Sequence, residues 1–280
     1  MVLTAEQHHP NIKIFVSAHK QATFPEGNSI VPVQVGAANA ATRFTNTLHD
    51  DEGVNISAEN PRYCEQYWAW KNEDADYYGF CHYRRYFDFT DTPHKENDYG
   101  EILDSYIDNH ALAEYGINDD AIARAVDGWD VITTPLNDVR RIGGFSNLKQ
   151  HWDADEHLRL KDLRHMYDIL CARHPDYKVD ADAVLNGRTA AFCNMFIMRK
   201  DIFFEYNEWL MSLPKLLISA EWTCRPHVRW GIFRNGCSTS SLRTSSVPVR
   251  IGRSSDCSAC ISCIRNRPPS SSRLMPDTRT

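Results

Sequence analysis

The stretch DYYGFCHYRRYFDF, residues 76–89, is apolar and aromatic up to Cys81 and then turns abruptly cationic, with His82, Arg84 and Arg85 in close succession. Its first half predicts a buried strand, because aromatic side chains suit a pleated surface. If the extended conformation continues, His82, Arg84 and Tyr86 share one face while Tyr83 and Arg85 share the other. On either side the chain alternates in type. IKIFVS (12–17) and IVPVQV (30–35) read as strands, the second with an edge or irregular start because of Pro32. HDDEGVNISAEN (49–60) is a loop by composition, and Ser57 followed by Pro61 prepares a helix over 61–72. Residues 101–126 have helical spacing, and WDVITT (129–134) is a strand closed by Pro135. A loop with Gly143 and Gly144, a charged helix over 153–173, a buried strand over 191–198 and an aromatic-rich helix over 200–210 follow. Strands alternating with helices predict an α/β fold whose mainly parallel sheet has helices on both faces. Ligands of such sheets bind beyond the carboxyl ends of the strands, where the His82–Tyr86 run stands.

Composition narrows the class. A chain of 280 residues can bury a sizeable core, and 42% hydrophobic with 24% charged residues is ordinary for a globular protein. The formal net charge of −6 argues against a nucleic-acid partner, which usually meets a basic surface. Residues 1–10 have neither the charged start nor the apolar run of a signal peptide, and nowhere is there an apolar stretch long enough to span a bilayer. The expected location is cytoplasmic. Cys64, Cys81, Cys171 and Cys193 are scattered singly in apolar or aromatic segments and read as small core residues of a reducing compartment.

Several groups could carry chemistry. Two guanidiniums and an imidazole at a strand's carboxyl end suit a diphosphate, since arginine offers paired donors and stays charged. The alternative pairs both arginines with Asp88 or Asp91 as structural ion pairs. Asp50, Asp51, Asn55, Asn60 and Glu65 gather in the polar loop and the helix after it. They could hold ribose, base or sugar hydroxyls, or simply serve turns and caps. Three Asp-Ala-Asp triplets, Asp74/Asp76, Asp153/Asp155 and Asp180/Asp182, raise a divalent metal. The first precedes its strand and the others flank helices, so all three read as solvated surface. Asn194, inside an apolar run, needs a partner: neighbouring backbone, or a substrate in the cleft. Cys257, Cys260 and Cys263 have the spacing of an iron–sulfur run, but no cysteine follows to complete four ligands.

Taken together, KIFVSAHK (13–20), VPVQVGAA (31–38), DDEGVNIS (50–57), ENPRYCE (59–65), YWAWKN (67–72), DYYGFCHYRRYF (76–87), IGG (142–144) and NMFIMRKDIFFEYNEWL (194–210) resemble one bacterial family. It is the domain-of-unknown-function family 4422, common in capsule and exopolysaccharide gene clusters and similar to β-galactofuranosyltransferases. One departure lies inside the match: the family usually carries a few extra residues between YCE and YWAWKN, so the helix here is expected to be shorter by most of a turn, beside Glu65. The resemblance implies a Rossmann-like glycosyltransferase A fold over residues 1–212 and a nucleotide-sugar transferase, with galactofuranose among the sugars it suggests. It implies a donor site of His19, Asp50, Asn55, Asn60, His82, Arg84 and Arg85, and an acceptor site of Gly143, Gly144 and Asn194. The expected catalytic carboxylate is Asp51 or Glu65. Metal-dependent relatives carry Asp-x-Asp where HYRRY stands, so no metal ligand and no cofactor is expected, the arginines taking over the electrostatic role. The partners implied are a nucleotide-sugar donor and a glycan or lipid-linked acceptor, with peripheral association at the inner membrane. A non-catalytic sugar-nucleotide or glycan-binding protein, or an enzyme inactivated at its C-terminus, is the alternative. A phosphate-transferring enzyme ranks last, for want of a Walker-type glycine loop with lysine.

The final segment is of another kind. Beyond Lys215 there is no lysine and no tyrosine, and serine, arginine, proline and cysteine dominate. Neither a period of two nor one of 3.6 persists, so residues 213–280 are expected to be an irregular or disordered tail. Permitted codons for WGIFRNGCSTSSLRT (230–244), read one frame over, give Gly-Tyr-Leu-Ser-Glu-Arg-Leu-Leu-Asn-Val-Phe-Leu-Ala-Tyr, a helix-like text resembling the family's closing helix. The same offset over residues 219–225 permits Arg-Arg-Val-Asp-Leu-Ser. The expectation is a frameshifted C-terminal region; a natural Ser/Arg-rich tail is the alternative.

Overall fold

The computed structural model describes residues 10–53, 64–155 and 159–212, with the backbone of a short strand at Cys260–Ser262. The polar segment with Asn55 and Asn60, and nearly all of the C-terminal segment, lie outside these residues. The frame is a sheet begun by β1 (Ile12–Ala18), β2 (Ile30–Gln34) and the two-residue β3 (Leu48–His49). β1 runs parallel to β2, and β2 to β3. β3 pairs with Val33 and Gln34, so among the described residues Pro32 has no strand neighbour on its outer side, which is where a residue without an N–H is tolerated.

After α1 (Cys64–Asn72) the chain enters β4 (Tyr77–His82), parallel to β1 along its whole length. The pairing on the other side of β4 is divided. β5 (Arg85–Phe87) folds back against its carboxyl end, with His82 opposite Arg85. The 76–89 stretch is therefore a hairpin turning at Tyr83 and Arg84, not one continuous strand. Burial explains the reversal: Tyr83, Tyr86 and Phe87 are all nearly inaccessible, and an unbroken strand would have carried them off the sheet.

The region 101–126, where the sequence shows helical spacing, begins with β6 (Glu101–Leu103) and carries two helices, α2 (Asn109–Glu114) and α3 (Asp119–Val126). Gly116 at φ 61° makes the break, and Asn118 then caps α3 by accepting the Ala121 N–H. β7 (Val131–Thr133) follows, then β8 (Leu136–Asp138) and α4 (Val139–Gly143). The charged 153–173 region is divided between α5 (Leu148–Ala154) and α6 (Leu160–Arg173), with α7 (Lys178–Leu185) beyond. The expected strand over 191–198 is likewise two: β9 (Thr189–Ala191) pairs with β8 in a small separate sheet, and β10 (Phe196–Arg199) enters the main one. Cys193 and Asn194 fall in the break. α8 (Lys200–Ser212) completes the region as expected, and Cys260–Ser262, β11, lies between β5 and β6.

β10 runs antiparallel to β4, from Phe196 opposite Phe80 to Arg199 opposite Tyr77, and to β7 on its far side. Each face of the sheet has its own core, as strand alternation requires. On one, Phe15, Tyr78, Phe80, Phe196 and Met198 pack against residues of α1, α5, α6, α7 and α8. On the other, Ile14, Val16, Cys81 and Ile197 pack against α2 and α3. Gly79 sits at the crowded centre: a Cβ there would come within 2.9 Å of Ile14 and 3.1 Å of Ile197.

Candidate functional site

Parallel register brings the ends of β1 and β4 level, with Ser17 opposite His82. From this edge project His19, just past β1, and the Tyr83–Arg84 turn. The ring of His19 lies 5.3 Å from that of Tyr83 in an edge-on arrangement, and 5.9 Å from His82. Tyr83 is buried and forms the floor of this cluster, with the Arg84 guanidinium over its ring, 5.4 Å from the centroid. Arg84 itself is exposed, and among the described residues no carboxylate is ion-paired to it. Arg85, half-buried on the returning strand, donates from Nη1 to the Cys193 sulfur at 3.1 Å.

The alternative pairing with Asp88 does not form. The Asp88 carboxylate accepts the backbone N–H and hydroxyl of Thr90 at 2.9 and 2.7 Å, and its other oxygen faces His94 at 3.5 Å. Burial nonetheless pushes its pKa up.

The two candidate bases part company. Glu65, in the first turn of α1, reaches the carboxyl end of β1, where its Oε2 accepts the Ser17 hydroxyl. It is close enough to β4 to add to the burial that pushes the Cys81 thiol up. Asp51 instead forms a two-pronged ion pair with Arg43, at 3.1 and 2.6 Å. Asp50 is buried and turned inward: its carboxylate accepts the backbone N–H groups of Gly36 and Ala37 at 2.6 and 2.9 Å. That anchors the bend after β2, where Gly36 takes φ 72°, so turn chemistry accounts for Asp50.

Gly143 and Gly144, expected in a loop, close a helix: Gly143 is the last residue of α4 and Gly144, at φ 73°, is its cap. Asp138 starts that helix by accepting the guanidinium and backbone N–H of Arg140, which together hold its carboxyl down at about 2. The Asn194 side-chain oxygen is buried without a hydrogen-bond partner among the described residues. The backbone partner expected for it does not reach that atom.

The Asp-Ala-Asp triplets lie elsewhere. Asp76 accepts the Asn11 N–H at 2.7 Å and Asp74 pairs with Lys200, both at the amino end of β4. Asp182, on α7, binds Tyr167 and Lys178, each at 2.7 Å, and Asp153 is exposed on α5. Among the described residues, the carboxyl end of β4 thus presents nitrogen donors with the Glu65 carboxylate near its neighbour β1, a set that suits an anion better than a divalent cation.

Sequence reading missed Ser17, Cys193 and Arg43. The first two stand inside apolar runs with no local signal. Arg43 could have been suspected from the run of three acids beginning at Asp50.

A mainly parallel sheet, helices on both faces and a cationic cluster at the strands' carboxyl edge define an α/β protein of the glycosyltransferase A type. The chain belongs to the family described as "Domain of unknown function (DUF4422)", which matches residues 13–219. Among solved structures it is similar to the apo form of the WbbM bifunctional glycosyltransferase, at 29% identity and a TM-score of 0.80. That likeness covers 91% of this chain and 46% of the other, so the chain spans about half the length of WbbM. No curated protein sequence matches it. No helix among the described residues is long and apolar enough to cross a membrane.

Proposed function

We propose that the protein is a glycosyltransferase that moves a sugar from a nucleotide donor to a polysaccharide or lipid-linked acceptor, with galactofuranose the sugar to test first. The observation that carries this is the gathering of His19, His82, Arg84 and Arg85 at one edge of the sheet, the edge at which Glu65 meets Ser17, the strand partner of His82. The fold shared with a bifunctional glycosyltransferase supports it. Arg84 and Arg85 take the diphosphate through charge-assisted hydrogen bonds, and neutralise the charge it gains as the bond to the sugar breaks. Glu65 accepts the proton of the acceptor hydroxyl as that oxygen forms the new bond, and the nucleoside diphosphate departs with the electron pair of the old one. Asn194 offers its amide oxygen to a hydroxyl of the acceptor. In this reading Gly143 and Gly144 belong to the acceptor site, and the acceptor is met at the cytoplasmic face of the inner membrane, as the family resemblance suggests.

Because nitrogen donors occupy the end of β4, donor binding needs no divalent cation. A panel of nucleotide sugars tested by thermal shift identifies the donor, since a ligand held only by the folded state raises the melting temperature. Product formation is then followed with the best donor and a galactose-containing acceptor. A rise in melting temperature that survives EDTA, with sugar transferred, is expected. Stabilisation without any transfer would make the protein a sugar-nucleotide binder, and stabilisation lost in EDTA and restored by Mn²⁺ would return the metal.

A further inference from the structure

The break between β9 and β10 contains a residue in a costly conformation. Cys193 has φ 67°, the left-handed region that glycine or asparagine enters readily and other side chains rarely do. The next residue is an asparagine, and a shift of the bend by one position would place that better-suited residue there. What Cys193 gains where it stands is a contact with Arg85: its sulfur accepts from Nη1 at 3.1 Å, across 108 positions of sequence. Register explains why the two meet. β10 enters the sheet with Phe196 opposite Phe80, so the residues before it continue past the carboxyl end of β4, to the level at which β5 begins with Arg85. Cys193 is half-buried and packs at the rim of the core on the Ile14, Val16 and Ile197 face, so its sulfur meets both that core and the guanidinium.

We propose that Cys193 is a positioning residue for Arg85: the left-handed backbone aims its sulfur at one arm of the guanidinium, fixing the plane in which the other donors face the nucleoside diphosphate. This rests on Arg85 being a diphosphate ligand. A guanidinium held in plane loses less freedom when it forms two parallel bonds, so the effect falls on donor affinity.

Three substitutions separate positioning from strain. Cys193→Gly removes the sulfur and relieves the backbone, Cys193→Ala removes the sulfur and keeps the strain, and Cys193→Ser keeps an acceptor in place. Binding of uridine and guanosine diphosphates to each full chain is measured by calorimetry, with melting temperatures recorded alongside. The expected result is a dissociation constant raised on the order of five- to tenfold in both Gly and Ala variants, as for one weakened polar contact, and largely restored in the Ser variant. The Gly variant should melt no lower than the parent, which a purely structural loss would not allow. Gly and Ala variants that bind like the parent, while Arg85→Ala binds poorly, would overturn the positioning role alone. Normal binding by Arg85→Ala would overturn the reading of the arginine as a ligand, and the inference with it.

Discussion

Arg84 stands at the tip of a hairpin with its guanidinium over an aromatic ring, and no ion pair among the described residues has to break before it meets an anion. Replacing Arg84 or Arg85 by alanine should therefore weaken nucleoside-diphosphate binding by about 1.5–3 kcal/mol for each charged hydrogen bond lost. Calorimetry reads this directly, and unchanged affinity in both variants would remove the diphosphate role. The two acids near the cleft are told apart in the same way. Glu65→Gln should lower turnover by about 10²–10⁴-fold, the usual worth of a general base, with donor affinity unchanged. Asp51→Asn should do far less, because Arg43 already occupies that carboxylate. Equal losses in the two variants would unseat Glu65. The types of these residues were legible in the sequence, and the two acids came from the family resemblance. Their orientations were not: whether an aspartate faces a cleft or a backbone N–H depends on a bend such as that at Gly36, which the local pattern does not encode.

At the scale of elements, long continuous runs misled and punctuation informed. The apolar text of 191–198 hides a break because cysteine at a positive φ leaves no compositional mark. The cap residues Asp108, Asn118, Asp138 and Asn147 each accept a backbone N–H at the start of a helix, and each is a residue type that announces this. Asp119 does more than begin α3. Burial alone would raise its pKa, but it accepts the N–H groups of Asn28 and Ser29, both at 2.9 Å, and these with the side-chain contacts hold it below its ordinary value. Gly27, at φ 148°, permits the approach: a Cβ there would lie 2.8 Å from Asp119 Oδ1. Asp119→Ala should cost about 1–3 kcal/mol by chemical denaturation, chiefly through the buried Ser29 N–H it leaves unpaired, since water can take the exposed Asn28 N–H. A depressed pKa stabilises the fold above the unfolded value, near 4, and that stabilisation is lost as pH falls through the folded value. The penalty of the substitution should accordingly shrink on acidification, and a penalty independent of pH would exclude this origin. Gly79→Val, pressed between Ile14 and Ile197, should cost about 1–3 kcal/mol by overpacking and leave cleft chemistry intact if the sheet still closes.

For the molecule as a whole, alternation of strand and helix sufficed to read the layered architecture, because burial on both faces of a sheet writes itself into composition. The order of pairing beyond β4 was not readable, since hydrophobic strands carry no address for their neighbours. The C-terminal segment poses a separate question at the level of the gene. We propose that it is a frameshifted reading, and the expected outcome of sequencing is a set of codons across residues 219–244 that yield Arg-Arg-Val-Asp-Leu-Ser and the Gly-Tyr-Leu-Ser-Glu-Arg text in one shared frame. Codons that cannot yield both would end the idea. The divided outer side of β4, with β10 along its length and β5 at its end, bears on how the protein is made. Arg85 and Cys193 are 108 positions apart, so the cleft has no second wall until late in synthesis, when β10 has emerged and docked. A nascent chain that stops short of β10 can build β1 and β4 yet lacks the sulfur that holds Arg85 in place, so it grips a donor at that edge less firmly. Donor binding is thus a reward for completion: added nucleotide should slow unfolding of the finished protein while leaving its rate of refolding unchanged.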